Sequence, residues 1–197
     1  MLFGIYRLIT NLFYPFSSLY LKYRILKKKE SIHRYREKIS KIKIKREAGK
    51  LIWFHVASVG ESLSILPLVE KLEHDNTINT ILITSITLSS SQVIKEKTIN
   101  KKKIIHQFLP LDIPNFVKKF LIHWSPDIAI FVESEIWPNL IKEIKKRKIP
   151  LLLISARITK KSFERWNYVK SLAREIFGFF NLCLASNSET ETFYKIL

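Results

Sequence analysis

The sequence predicts an α/β fold, a Rossmann-like doubly wound parallel sheet, and three observations carry that expectation. From Leu51 onward six short apolar, β-branched runs recur, the texture of strands buried on both faces. Amphipathic stretches separate them, and parallel strands need such crossover helices. Pro114 and Pro138 open two of those stretches, where a missing backbone N–H costs nothing.

The expected strands are 51–57, 80–87, 103–109, 127–132, 150–155 and 182–186. The expected helices are 61–73, 89–97, 114–123, 138–147 and 161–177, each placing apolar residues at helical spacing. Pro67 falls inside the first of these and predicts a kink. A last helix begins near Ser188, whose Ser-Glu-Thr-Glu-Thr opening is a good capping signature. Few apolar residues follow before Leu197, so a short terminal helix and a truncated chain both stand as readings.

Composition narrows the chemistry. The 197 residues carry a net charge of +17 and are 47% hydrophobic, enough for a sizeable core. Four scattered glycines form neither a Walker loop nor a G-x-G-x-x-G turn. One cysteine, Cys183, forbids an intramolecular disulfide and suits a reducing compartment, and five dispersed histidines show no zinc-ligand spacing. No metal and no cofactor is expected.

The charge is concentrated. Residues 22–50 hold thirteen Lys or Arg against Glu30, Glu37 and Glu47, a net of +10 that leaves +7 for the rest of the chain. This segment follows an apolar N-terminus, 1–21, and an apolar run joined to a basic cluster suits an anionic membrane surface. Arg7 and Pro15 interrupt the run, so a spanning helix and an interfacial one both remain open. A solvated basic helix is the bland alternative. Nucleic-acid binding is the other, and no recognisable motif supports it. The expected organisation is a membrane anchor over 1–29, a basic connecting segment over 30–50, and the sheet domain over 51–197.

In open α/β sheets ligands bind beyond the carboxyl ends of strands, where strand order reverses. After the first strand comes Ser58-Val59-Gly60-Glu61-Ser62, in which Gly60 would permit a tight turn and Glu61 would open a helix. After the fourth comes Glu133-Ser134-Glu135, then Ile136-Trp137-Pro138-Asn139. With the usual order 3-2-1-4-5, strands one and four are neighbours, so Glu61 and Glu133 would face one crevice. Two carboxylates there can shift each other's pKa and supply a general base. Each could also be a helix N-terminal charge, and Glu135 equally so. Arg157 could hold an anionic group or make a structural ion pair. Ser58 and Ser62 have no evident His partner for nucleophilic work. His55 reads as a satisfied core histidine, and Trp137 as a core residue or a stacking platform for a sugar.

The motifs also match a known family. His55-Val56-Ala57-Ser58-Val59-Gly60-Glu61, Phe108-Leu109-Pro110-Leu111-Asp112-Ile113-Pro114 and Val132-Glu133-Ser134-Glu135-Ile136-Trp137-Pro138-Asn139-Leu140 occur in order. Ile149-Pro150, Ser155-Ala156-Arg157-Ile158 and Ala185-Ser186-Asn187-Ser188-Glu189 continue the series. In these the chain resembles the N-terminal half of bacterial 3-deoxy-D-manno-octulosonic acid (Kdo) transferases. The resemblance implies the first domain of a two-domain, B-type glycosyltransferase that moves Kdo from CMP-Kdo to the lipid A precursor of lipopolysaccharide, with inversion and without a metal. It implies Glu61 as the proton acceptor, Glu133 as transition-state stabiliser, and Ser58, Gly60, Glu135 and Arg157 near the substrate. It implies the cytoplasmic side of the inner membrane, with a C-terminal donor domain that this chain lacks. A noncatalytic lipid-binding remnant of that enzyme is the alternative.

Two departures stand out. The family's Thr-x-Thr-Pro-Thr-Gly-like turn after the second strand is Ser85-Ile86-Thr87-Leu88-Ser89-Ser90 here, and Arg34-Tyr35-Arg36-Glu37-Lys38 follows the family's basic segment only loosely.

Overall fold

A computed structural model describes residues 2–197. Strands β1 (Lys50–His55), β2 (Ile78–Ser85), β3 (Ile104–Phe108), β4 (Ile128–Val132), β5 (Leu151–Ala156) and β6 (Leu182–Ala185) form one sheet in the order β3-β2-β1-β4-β5-β6. Every pairing is parallel. The order reverses between β1 and β4, which sets the switch point where the sequence placed it.

The period-two alternation of buried strands builds two core layers. Leu51, Trp53, Leu82, Phe131 and Leu153 face one side, against Phe120 and Trp124 of α6 (Pro114–Trp124), Leu140 and Ile144 of α7 (Pro138–Lys146) and Ile176 of α9 (Lys170–Phe177). Phe54, Val56, Ile81, Ile83 and Ile130 face the other, against Ile65 between α3 (Val59–Ser64) and α4 (Leu66–Glu73), Val69 of α4 and Ile94 of α5 (Leu88–Lys97). Pro114 and Pro138 stand in the first turns of α6 and α7, as expected.

Two expected helices are each broken in two. The stretch 61–73 becomes α3 and α4, divided at Ile65, and Pro67 falls in the first turn of α4, where its missing N–H is harmless. The stretch 161–177 becomes α8 (Lys160–Tyr168) and α9, divided at Val169, whose ψ of 41° leaves the helical region. That bend lets Phe163 and Trp166 of α8 pack around Ala173 of α9 together with Phe193 and Tyr194 of α10 (Ser188–Ile196).

The N-terminal stretch forms α1 (Leu2–Phe13) and α2 (Ser17–Leu26), joined through a 3-10 turn holding Pro15. Twelve residues at 1.5 Å reach about 18 Å against a hydrocarbon core of about 30 Å. Among the described residues no helix is long and apolar enough to cross a membrane. One face of α1 docks on the domain through buried Phe3, over whose ring Lys142 Nζ lies at 3.9 Å. The opposite face turns Ile5, Leu8, Ile9 and Leu12 to solvent, Leu8 and Leu12 being 60% and 66% exposed.

Asp112 joins the two parts. Its carboxylate accepts from the N–H groups of Asn139 and Leu140 in the first turn of α7, at 3.0 and 2.8 Å, and from the Tyr6 hydroxyl of α1 at 2.8 Å. Asn139 Nδ2 returns to the Asp112 carbonyl and to Thr10 Oγ1. Burial raises the Asp112 carboxyl from 3.8 to about 6, with the hydrogen bonds opposing, and raises the Tyr6 hydroxyl above its ordinary value.

Candidate active site

Glu61 lies in the first turn of α3, beyond the end of β1, and is only 6% exposed. Ser58 caps that helix, its Oγ accepting from Glu61 N at 3.1 Å, and Glu61 Oε2 reaches back to accept from Ala57 N at 2.8 Å. This is a capping box displaced by one residue, since the usual partner is the cap residue's own N–H. Among the described residues no group donates to Oε1, so one carboxylate oxygen is held and the other is unengaged.

The neighbouring helix start is fastened to the same spot. Thr87 caps α5, and Ser90 Oγ of α5 donates to the Ala57 carbonyl at 2.9 Å. Ala57 is thus bound from both sides, by Glu61 at its N–H and by Ser90 at its carbonyl. The 85–90 turn, lacking the family's Pro and Gly, is organised by hydroxyls instead. Gly60 does not make the expected tight turn: it is helical, with a φ outside the left-handed range, and a Cβ there would meet Ser58 Oγ at an ordinary 3.8 Å.

Glu133 follows β4 directly and sits in the left-handed region, φ 58°, which non-glycine residues rarely adopt. Its N–H donates to the Ile154 carbonyl at 3.0 Å, and its carbonyl accepts from Arg157 N at 3.3 Å. Ser155 of β5 is also left-handed, φ 49°, where the β5–β6 register shifts. Two adjacent strand ends therefore hold uncommon backbone geometry, which concentrates at functional sites. Glu133, Ser134 and Arg157 line a cavity of about 490 Å³ with Thr159, Trp166 and Tyr194. The Arg157 side chain is exposed and makes no ion pair among the described residues.

Strands β1 and β4 are adjacent, as the crevice reading requires, yet no hydrogen bond or ion pair among the described residues joins Glu61 to Glu133. The carboxylate that reaches toward β1 is Glu135. The Trp137 Nε1–H lies between Glu135 Oε2 at 2.9 Å and His55 Nε2 at 3.2 Å, and the His55 ring is fully buried with Nδ1 3.0 Å from Thr84 Oγ1. His55 is the satisfied core histidine the sequence suggested, and Trp137 packs against the core on the α6–α7 side.

Sequence reasoning left out a further cluster over the ends of β2 and β3. Arg34 binds both Glu37 oxygens, at 2.7 and 2.9 Å, and its Nη2 also reaches the His106 carbonyl and His106 Nδ1 at 3.0 and 2.9 Å. A guanidinium only donates, so His106 Nδ1 must accept, and the ring proton sits on Nε2, 2.9 Å from Ser85 Oγ. Burial first, then Arg34, pulls the His106 ring from 6.5 down to about 3. Nearby, buried Glu30 accepts from Arg24 Nε at 2.7 Å and from buried Lys38 Nζ at 2.8 Å, and Lys38 also donates to the Ile86 carbonyl. Residues 30–38 thus pack on the sheet ends next to the turn that leads to α5.

His106 and Asp112 give stability opposing pH slopes. The folded His106 sits below its unfolded value, so its contribution is full above pH 6.5 and is lost as pH falls toward 3. The folded Asp112 sits above its unfolded value, so its contribution is full below pH 3.8 and is lost as pH rises through about 6. In Asp112→Asn the second slope disappears. Urea midpoints taken from pH 4 to 6 should therefore rise more steeply with pH in the variant than in the parent, and parallel curves would refute this assignment.

Sheet order and covered faces make the chain a Rossmann-like domain whose switch point lies between β1 and β4. A UDP-N-acetylglucosamine 2-epimerase structure from Listeria monocytogenes shares this fold at a TM-score of 0.52 and 13% identity, covering 76% of this chain and 42% of that one. Residues 33–197 match the family described as 3-deoxy-D-manno-octulosonic-acid transferase (kdotransferase). A relative named as the 3-deoxy-D-manno-octulosonic acid transferase of Rickettsia bellii is 38% identical over 94% of this chain and 42% of its own length. A mitochondrial relative of that name in Arabidopsis thaliana is 37% identical over 84% of this chain and 36% of its own length. The chain belongs to the Kdo transferase family. It spans about two-fifths of the length of these relatives.

Proposed function

We propose that this chain is the acceptor-binding, base-carrying half of an inverting glycosyltransferase that moves Kdo from CMP-Kdo to the lipid A precursor. The observation that supports it is Glu61: buried beyond β1 at the switch point, one oxygen fixed by Ala57 N, the other unengaged. A fixed carboxylate with a free oxygen is the geometry of a general base. In this reading Glu61 takes the proton of the attacking sugar hydroxyl. The hydroxyl oxygen forms its bond to the anomeric carbon of Kdo as the bond from that carbon to the CMP phosphate breaks, and CMP leaves with the electron pair. Glu133 and Arg157 line one cavity on the β4–β5 side, where Arg157 would hold an anionic substrate group and Glu133 would stabilise the transition state, as the family resemblance implies. The donor pocket belongs to the second domain of the B-type arrangement.

The same reading places the protein on the cytoplasmic face of the inner membrane, lying on it rather than crossing it. The solvent-facing Ile5, Leu8, Ile9 and Leu12 would enter the interface, and exposed Lys22, Lys27, Lys28 and Lys29 would meet anionic headgroups. Vesicle flotation tests both parts. The chain should float with anionic vesicles, lose at least tenfold in partitioning in Leu8→Ser/Leu12→Ser, and bind more tightly when the lipid A precursor is included, without CMP-Kdo. Equal flotation of parent and variant, or indifference to the precursor, would count against the reading.

A further inference from the structure

Glu135 shares with Glu61 a feature that Glu133 lacks: one carboxylate oxygen is fastened to the end of β1 and the other is left free. Glu135 Oε2 accepts the Trp137 Nε1–H at 2.9 Å and stands 3.3 Å from His55 Nε2. An ionised carboxylate only accepts, so Nε2 carries a proton aimed at it, and Nδ1 accepts the Thr84 hydroxyl at 3.0 Å. Thr84 Oγ1 in turn accepts the Trp53 Nε1–H at 2.8 Å. Each donor from Trp53 to Glu135 is then matched. Phe131 packs edge-on against the buried His55 ring and helps to fix it.

The other oxygen, Glu135 Oε1, meets no donor among the described residues. It is open to solvent, because the one buried side-chain atom without a partner among them is Gln107 Nε2. His55 ends β1 opposite Phe131 of β4, so Glu135 is fastened at the switch point itself. Ala57, which holds buried Glu61, is two residues further on, at most about 7 Å along the backbone. One sugar placed beyond β1 can therefore meet the free oxygens of both.

We propose that Glu135 binds the acceptor sugar, Oε1 accepting from a hydroxyl beside the one that Glu61 deprotonates, and that His55 is a positioning residue that aims it. This rests on the acceptor-binding reading above. Flotation on phosphatidylcholine vesicles containing the lipid A precursor, against charge-matched vesicles containing phosphatidylglycerol instead, gives the gain due to the acceptor rather than to charge. Glu135→Gln keeps an oxygen for Trp137 and His55 but turns a neutral amide outward. It should cut the gain at least fivefold at an unchanged urea midpoint, since a charged acceptor makes the stronger hydrogen bond. His55→Gln puts a donor near the Nε2 position and should keep the gain within twofold. His55→Leu fills the core without a donor and should lose as much as Glu135→Gln. Glu96→Gln, exposed on α5, should change the gain less than twofold. Nitrogen NMR should show the His55 proton on Nε2, in the signal that His55→Gln removes. A parent indifferent to the precursor overturns the acceptor reading and this proposal with it. A parental gain that Glu135→Gln retains overturns this proposal alone. A folded His55→Leu that binds like the parent, or a ring protonated on Nδ1 alone, overturns the role of His55. If His55→Leu does not fold, the Nε2 proton and Glu135→Gln still decide.

Discussion

Glu30→Ala should lower the unfolding free energy by about 3–5 kcal/mol, the cost of leaving a buried charge without its partner. Glu30 and Lys38 are 5% and 3% exposed, and the carboxylate is the ionic partner of the Lys38 ammonium. Burial already pulls Lys38 below its ordinary value, and Glu30 is the main group holding it up. Removing Glu30 leaves the ammonium with the Ile86 carbonyl as its one hydrogen-bond partner, above the Phe108 ring. Arg24, about a third exposed, can return to water. The double variant Glu30→Leu/Lys38→Met removes both charges and should recover most of the loss, because a buried pair gives little net stability over an apolar replacement. Urea unfolding measures both. A Glu30→Ala midpoint equal to that of the parent would refute the burial assigned here.

Glu61→Gln should slow Kdo transfer by roughly 10²–10⁴, the usual range for one general base. Glutamine keeps an oxygen that can accept from Ala57 N, so the α3 start stays capped and the loss falls on kcat with acceptor KM nearly unchanged. Glu61→Ala removes the hydrogen bond as well and should add a stability loss of about 1 kcal/mol. The pair of variants thus separates proton transfer from helix capping. The assay needs this chain joined to the donor-binding part of a relative. If Gln retains the parental kcat, Glu61 is a capping residue only.

The architecture could be read in the sequence because its signals are local. Each strand was placed within two residues of its observed ends, and the switch point followed from strand order alone. Prolines marked the starts of α6 and α7 and the division near Pro67. What could not be read depends on contacts far apart in the chain. Asp112 is joined to Tyr6 across 106 positions, Arg34 to His106 across 72, and Trp137 to His55 across 82. No periodicity encodes such pairs. The basic run 22–50 reads as surface by composition, yet Lys38 is buried in an internal ion pair and Arg34 is drawn into another, so segment charge overstates the charge offered to a membrane. Glu61 was found because its place after a strand is a local feature. Its hold on Ala57, the β1-end residue that Ser90 binds from the other side, was not.

The most direct test of the central claim is a mixing assay in which Kdo transfer to the lipid A precursor is followed with this chain, with the donor-binding half of a relative, and with both. The expected result is transfer only from the mixture, abolished when the chain carries Glu61→Gln. Transfer by this chain unaided, or none from a mixture in which both parts are folded, would contradict it.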